Sequence, residues 1–395
     1  MLTTVAVESY RSLRRVVVPL GRVTVVTGAN GSGKSSLYRA LRLLADASRN
    51  GAVAALAREG GLQSTLWAGP DQLGKSVRRG EYPVQGTVRS GPVSLRMGFA
   101  SNDYGYAVDF GLPVPSGPPP SAFGLDPEIK REALWAGPFF RPATLLVDRK
   151  NASVRIRGAA GDWEDGGGGL QTFDSMLSEF ADPRRAPELM TVRERLRGWR
   201  FYDHLRTDVD APARQARIGT RTPVLDAEGA HLAAALQTIR EIGDAGALDH
   251  AIEQAFPGSS VAVETGTGRF ELTFRQHGLL RPLAAAELSD GTLRYLLWVA
   301  ALLTPRPPEL LVLNEPETSL HPDLLPALAD LVVTAAKETQ VILVTHSRPF
   351  LAALQAGAGE SGQDLRTIEL VKEFGQTAIA GQGPLDEPPW KWPSR

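Results

Sequence analysis

Gly28-Ala29-Asn30-Gly31-Ser32-Gly33-Lys34-Ser35 is the stretch from which the rest of the sequence takes its meaning. Ahead of it runs Arg22-Val23-Thr24-Val25-Val26-Thr27, a short β-branched run that reads as a buried strand. Behind it, Ser36-Leu37-Tyr38-Arg39-Ala40-Leu41-Arg42-Leu43-Leu44 reads as an amphipathic helix. Strand, glycine loop and helix in that order turn G-x-x-x-x-G-K-[ST] into a phosphate site. Glycines let backbone N–H groups face phosphate oxygens, and the helix N-terminus adds partial positive charge. Lys34 then reaches the terminal phosphates, and the Ser35 hydroxyl holds Mg²⁺.

Composition sets the outer bounds. A chain of 395 residues holds one large domain or about two to three ordinary ones. A hydrophobic content of 43% excludes global disorder. The net charge of −1 means that nucleic-acid affinity must come from a local patch. The absence of cysteine excludes disulfides, thiol catalysis and thiolate metal sites, and it fits the expected cytoplasmic location. The N-terminus has no basic segment followed by an apolar core, so no signal peptide is expected. The longest apolar run, Leu293 to Leu303, is broken by Arg294 and is too short to cross a bilayer. Six histidines without clustered spacing leave no dedicated metal site beyond the nucleotide's Mg²⁺.

Taken in order, Thr3–Val7 and Val16–Val18 read as strands. The arginines of Tyr10-Arg11-Ser12-Leu13-Arg14-Arg15 between them either approach an anion or form a solvated hairpin tip. Val93–Phe99 and Tyr104–Phe110 alternate as a half-exposed hairpin. Pro113–Pro120 and Gly166–Gly169 read as breaks, with a further hairpin at Ala143–Val147 and Ala152–Arg157. Helical periodicity follows near Phe173–Phe180, Pro187–His204, Gly229–Ile242 and Gly246–Phe256. A last hairpin joins Val261–Glu264 to Phe270–Phe274. The expected organisation is a nucleotide-binding lobe of residues 1–170 and 280–395, with a helical lobe at 171–279. No tandem repeat or sustained heptad is present.

A second constellation lies downstream. Leu310-Leu311-Val312-Leu313-Asn314-Glu315-Pro316-Glu317 is an apolar strand ending in polar groups. Glu315 is placed to orient or deprotonate an attacking water. Val341-Ile342-Leu343-Val344-Thr345 ends at His346-Ser347, where an imidazole can bond a γ-phosphate. Leu288-Ser289-Asp290-Gly291-Thr292 precedes the helix Leu293–Leu303 and forms a second anion-binding device. One phosphate loop is already present, so Ser289 and Gly291 are read as serving the nucleotide of another subunit.

GANGSGKSS, LSDGT, LLVLNEPETSLHP and VTHS, in this order, resemble the ABC-type ATPases, and within them the soluble RecF/SMC/OLD-like group of AAA-family ATPases. The resemblance covers roughly residues 1–45 and 280–350. It implies an α/β P-loop NTPase with an ABC-type head, a β-rich N-terminal layer and a helical lobe. It also implies a head-to-tail homodimer with two ATP molecules and Mg²⁺ between protomers. Gly28, Ala29, Asn30, Gly31, Ser32, Gly33, Lys34, Ser35 and Ser36 would bind ATP in cis. Ser289 and Gly291 would close on it in trans. Lys34, Glu315 and His346 would carry catalysis, with Glu315 as base and His346 as switch. Ser35, Asn314 and Gln171 would serve the metal, Gln171 being the candidate for the family's coupling glutamine. Ser319-Leu320-His321-Pro322 matches the dimer-contact loop.

One departure bears on mechanism. The acidic strand of the family ends Asp-Glu, and here it reads Asn314-Glu315. Asn can hold a Mg²⁺-bound water through its carbonyl oxygen but removes a negative charge, so slow hydrolysis is expected. There is no long coiled coil, and about fifty residues follow His346, too few for a nuclease domain. Residues 184–221 are rich in arginine, and Arg193, Arg195, Arg197 and Arg200, interleaved with Trp199, Phe201 and Tyr202, suit DNA contact; the alternative is a solvated helix face. The functional expectation is an ATPase acting on DNA or a partner protein in genome maintenance or phage defence. The alternatives are an ATP-gated module controlling a separate effector and the energy subunit of a membrane transporter. No membrane association is expected.

Overall fold

The computed structural model describes residues 1–49, 51–70, 91–115, 121–167, 169–180, 182–203, 205–383 and 385–395. Residues 116–120 of the expected proline-rich loop, Gly168 and His204 lie outside the described residues. Contacts gather the chain into two compact units. The first holds Met1–Gly21, Thr27–Trp199 and Ile368–Arg395; the second holds Arg22–Val26 and Arg200–Thr367. Of the segment 171–279, the part up to Trp199 belongs to the first unit and the remainder to the second.

The first unit opens with β1 (Leu2–Tyr10) and β2 (Leu13–Pro19), a hairpin in the expected place. Its tip arginines find carboxylates: Arg11 pairs with Glu59 at 2.6 Å and Arg15 with Glu387 at 2.9 Å. The strand β3 (Val23–Gly28) crosses from the second unit into the first after Val26. Helices α1 (Lys34–Ala47), α2 (Ala52–Arg58) and α3 (Gly61–Thr65) follow. Then come β4 (Leu95–Ser101), β5 (Tyr104–Gly111), β6 (Glu128–Ala136), β7 (Leu145–Lys150), β8 (Ser153–Arg157) and β9 (Trp163–Asp165). They extend the hairpin into one antiparallel sheet in the order β2-β1-β4-β5-β6-β7-β8-β9, the β-rich layer.

Strand β6 has no counterpart among the expected strands. Its sequence, Glu-Ile-Lys-Arg-Glu-Ala-Leu-Trp-Ala, hides an inward face behind charges. Two of those charges are buried because each meets an opposite charge on β7: Arg149 bonds Glu132 at 2.7 Å and Arg131 bonds Asp148 at 2.7 Å. Helix α4 (Met176–Glu179) is shorter than expected. Helix α5 (Pro187–Gly198) corrects the expectation of a helix to His204. It ends at Gly198, and Trp199 turns extended at ψ 140.

The next residues instead form β10 (Arg200–Tyr202), the first strand of the second unit. It is followed by β11 (Arg217–Ile218), α6 (Leu232–Ile242) and α7 (Ala245–Ala255). The hairpin β12 (Ser260–Gly266) and β13 (Arg269–Arg275), with β14 (Leu283–Ala284) paired to β13, forms a small antiparallel sheet. Then come α8 (Asp290–Leu302), β15 (Leu310–Asn314), α9 (Leu325–Ala335), β16 (Gln340–Val344) and α10 (Arg348–Ser361). Strands β10, β15, β16 and β3 pair in that order, all parallel. Parallel strands covered on both faces must be apolar throughout. Leu311, Leu313, Val341, Leu343, Val23 and Val25 accordingly share one core with Leu293, Leu297 and Leu328 of α8 and α9. Strand β17 (Leu365–Glu373) leads back to the first unit, where it pairs with β18 (Gln376–Ile379). Among the described residues no helix is long and apolar enough to cross a membrane.

Candidate nucleotide site

In the first unit the loop after β3 has the backbone its glycines predict. Gly28 and Gly33 lie at φ 140 and φ 114, a region closed to other residues. Space closes it as well: a Cβ at Gly28 would stand 2.3 Å from the Leu370 carbonyl oxygen, and one at Gly33 2.2 Å from Thr377 Oγ1. Helix α1 begins at Lys34, two residues before the expected start, with Gly33 as N-cap and no capping side chain. Its first-turn N–H groups therefore have neither an intrahelical acceptor nor a side-chain cap. Ala29, Asn30, Gly31 and Ser35 are exposed. Lys34 is buried and folds across the loop, its Nζ donating to the carbonyl oxygens of Gly28 (2.7 Å) and Ala29 (3.1 Å). The buried Ser32 hydroxyl has no hydrogen-bond partner. Uncapped N–H groups, an ammonium and an orphaned hydroxyl around an exposed turn are a donor set that fits a polyphosphate.

Thr377 supports this loop and is invisible to motif reading. Its Oγ1 bonds the Ser32 carbonyl oxygen (2.7 Å) and Ser12 Oγ (2.8 Å), joining β18 and the β1–β2 turn to the glycine loop. Gln171 is exposed in the turn before α4, and its carbonyl oxygen accepts from Arg149 Nη2 at 2.8 Å. Arg149 is the guanidinium that also pairs with Glu132, and both side chains are 0% exposed. The same carboxylate accepts from the Met176 N–H (2.8 Å) and the Tyr106 hydroxyl (2.5 Å), so the Gln171 turn is tied to the β layer. Burial first, then Glu132, pushes the Tyr106 phenol well above its ordinary range.

In the second unit the ends of β15 and β16 carry the other polar groups. Asn314 is the last residue of β15, opposite Val344. Glu315 follows at φ 48, in the left-handed region, with its N–H donating to the Val344 carbonyl oxygen (2.8 Å). Its carboxylate is half-exposed, and Oε1 stands 3.5 Å from His346 Nδ1. The two residues that the sequence placed on separate strands are thus brought together. Glu317 is the addition. Its side chain is only 7% exposed, and Oε1 accepts from the Thr345 hydroxyl and from the His346 N–H (3.4 Å). Its other oxygen is buried without a partner.

The LSDGT corner lies in the same unit. Ser289 caps α8, its Oγ accepting from the Thr292 N–H at 3.1 Å. Ser289 and Asp290 are exposed. A Cβ on Gly291 would meet the carbonyl oxygen of Ser319 at 3.2 Å, and Ser319 is itself left-handed at φ 65. The corner and the expected dimer-contact loop are therefore neighbours. Halfway along α8, Trp298 Nε1 donates to the Pro316 carbonyl oxygen (2.9 Å), in the turn that holds Glu315. Upstream of the corner, a bond from Arg281 and the Ala284 N–H hold the Glu287 carboxyl down at about 2.

A sequence profile described as "AAA domain, putative AbiEii toxin, Type IV TA system" matches residues 23–353. The chain belongs to this AAA domain family. A comparison with curated proteins gives no match. Among solved structures, the AAA chain is similar to an SmcHead bound to the C-winged helix domain of ScpA. Identity is 14%, 96% of this chain and 97% of that chain are covered, and the TM-score is 0.51. An Smc head with an extended coiled coil, derived from Pyrococcus furiosus and bound to the C-terminal domain of ScpA, gives 13% identity, 96% and 95% coverage and 0.48. The SMC head domain from Thermotoga maritima gives 15%, 96% and 98%, and 0.43. The fold is that of an SMC head, an ABC-type P-loop architecture. Among the described residues of this AAA domain no helix exceeds 14 residues.

The arginine-rich segment of the AAA chain differs from its expected form. Trp199, Phe201 and Tyr202 are buried, so they present no face on which a base could stack. Arg193 is buried against Met190 Sδ at 2.7 Å. Arg195 pairs with Asp103 at 3.1 Å, and Arg197 donates to the Ser48 carbonyl oxygen at 3.0 Å.

Proposed function

We propose that this chain binds and hydrolyses ATP as an ABC-type ATPase, two copies pairing head to tail around the nucleotide. The observation that supports it most is the approach of Glu315 and His346, 3.5 Å apart at the tips of neighbouring parallel strands. In this reading the loop Gly28–Ser36 cradles the phosphates and Lys34 leaves its two carbonyls for the terminal ones. Ser35 and, through a water, Asn314 hold Mg²⁺, with Gln171 as the coupling glutamine. The ion supplies charge neutralisation on the phosphates. Glu315 orients and deprotonates the attacking water, and His346 bonds the γ-phosphate. Ser289 and Gly291 reach the partner's nucleotide, and of the expected helical lobe 171–279 the part from Arg200 onward, which shares a unit with the LSDGT corner, moves with it.

Asn314 favours a second emphasis, in which hydrolysis is slow and bound ATP gates a separate effector. The family's description, which names a toxin of a type IV toxin–antitoxin system, and the ScpA bound to the SMC head both favour a protein partner, and this reading keeps the expected cytoplasmic setting and role in phage defence. DNA held through Arg193, Arg195, Arg197 and Arg200 has less support, because most of these side chains are engaged within the fold. The test is the mass of Glu315→Gln in solution with and without ATP and Mg²⁺. A nucleotide-dependent shift from monomer to dimer, absent in Lys34→Ala, is expected. Unchanged mass and unchanged cross-linking at saturating ATP would overturn the head-to-tail reading.

A further inference from the structure

Arg214 belongs to the arginine-rich segment, yet it faces inward. Its side chain is 8% exposed. Nη1 donates to the carbonyl oxygens of Leu288 (2.7 Å), Ala285 (3.2 Å) and Ala286 (3.3 Å), all on the approach to the LSDGT corner. Nη2 pairs with Asp290 Oδ1 at 2.7 Å, inside the corner. Nε and Nη2 reach back to the Thr207 carbonyl oxygen at 3.0 and 2.8 Å. A planar fork with five fixed donors can bridge two chain segments in one geometry, which the rotating ammonium of lysine cannot do. Ala285–Glu287 form a short 3-10 turn capped by Leu288, whose N–H donates to the Ala285 carbonyl oxygen at 3.4 Å. Gathered on one cation, the carbonyl dipoles fix the direction in which α8 begins.

We propose that Arg214 is the positioning residue of the LSDGT corner, setting Ser289 and Gly291 for the nucleotide of the partner copy. The assignment rests on the head-to-tail reading. Among the described residues, the hydrogen-bond and ion-pair partners of Arg214 all lie at 207–208 and 285–290 of the second unit, and none belongs to the loop Gly28–Ser36. Loss of Arg214 therefore spares nucleotide binding in cis and removes the contribution in trans.

The experiment mixes variants. Arg214→Ala should bind a fluorescent ATP analogue within about twofold of wild type while its ATP-dependent dimerisation weakens by about tenfold or more, the equivalent of one lost charge-assisted bond. Lys34→Ala carries the opposite defect. A one-to-one mixture should regain turnover, because one shared site then combines a sound phosphate loop with a sound corner. Ser289→Arg mixed with Lys34→Ala is the control. Recovery in the control but not with Arg214→Ala would overturn the role given to Arg214. Recovery in neither would overturn the head-to-tail reading and the inference with it. Arg214→Lys retains the charge and guards against a folding defect: an unchanged melting temperature with weakened dimerisation and rescue by mixing is expected. Wild-type dimerisation and turnover in that variant would also overturn the proposal.

Discussion

Glu315 occupies a backbone region that costs a branched or long side chain about 1–3 kcal/mol. The fold imposes it, since the Glu315 N–H must reach the Val344 carbonyl oxygen while the chain leaves the sheet. The carboxylate is thereby turned toward His346 rather than along β15. Glu317, two residues on, holds the other side of the same junction through the Thr345 hydroxyl and the His346 N–H. Glu317→Ala would leave the buried Thr345 hydroxyl without its acceptor and free the more exposed His346 N–H, and a loss of about 1–3 kcal/mol of stability is expected. Glu317→Gln keeps an acceptor oxygen and should stay within about 1 kcal/mol of the parent. Urea titration of the two variants measures the difference. The positions of Glu315 and His346 at the strand ends were legible in the sequence because each follows an apolar run. Glu317, Thr377 and Arg214 were not, because the partners that define their places, Thr345 for the first, Ser12 and Ser32 for the second, Leu288 and Asp290 for the third, lie between 28 and 365 residues away along the chain.

Elements whose inward face is apolar were read correctly from their period: β3, α1, β15, β16 and the hairpin β12–β13 stand where the sequence put them. Two strands were missed because their sequences do not alternate. Strand β6 buries charges, and β10 follows a helix without a break longer than Gly198-Trp199, so neither shows the alternation that marks a strand. In β6 the buried pair Glu132–Arg149 replaces apolar packing. Such a pair contributes little net stability when intact, but removing one partner strands the other. Arg149→Met should therefore cost about 3–5 kcal/mol, and adding Glu132→Gln, which removes the stranded charge but keeps an acceptor for Tyr106 and the Met176 N–H, should recover part of it. Thermal unfolding of the single and double variants checks both. The single variant also frees the carbonyl oxygen of Gln171, which offers a direct view of whether that turn matters to ATP use.

For the whole molecule the sequence is most informative where its motifs are local and least where the proposed function calls for a second copy. The four ordered motifs sufficed for the fold, and the family profile spans them from residue 23 to 353. What the molecule does with ATP turns on the balance between holding and splitting it. In the proposed reading Asn314 weighs on that balance, because an acidic side chain at the end of β15 would add a full charge beside the Mg²⁺ of the nucleotide, where asparagine would offer only a dipole. Asn314→Asp should lower the Mg²⁺ concentration for half-maximal turnover and raise turnover by about three- to tenfold, a gain of about 1 kcal/mol in a partly solvated site. If two copies pair around ATP as proposed, it should shorten the life of that dimer to match, since faster splitting would open it sooner. Phosphate release across a Mg²⁺ titration, paired with dimer lifetime after dilution, reads both quantities on one preparation. If turnover rises and the dimer persists unchanged, opening follows a step other than hydrolysis, and ATP gates a partner rather than timing the clamp. If neither quantity moves, Asn314 takes no part at the metal, and the slow cycle expected of this chain has no basis in its acidic strand.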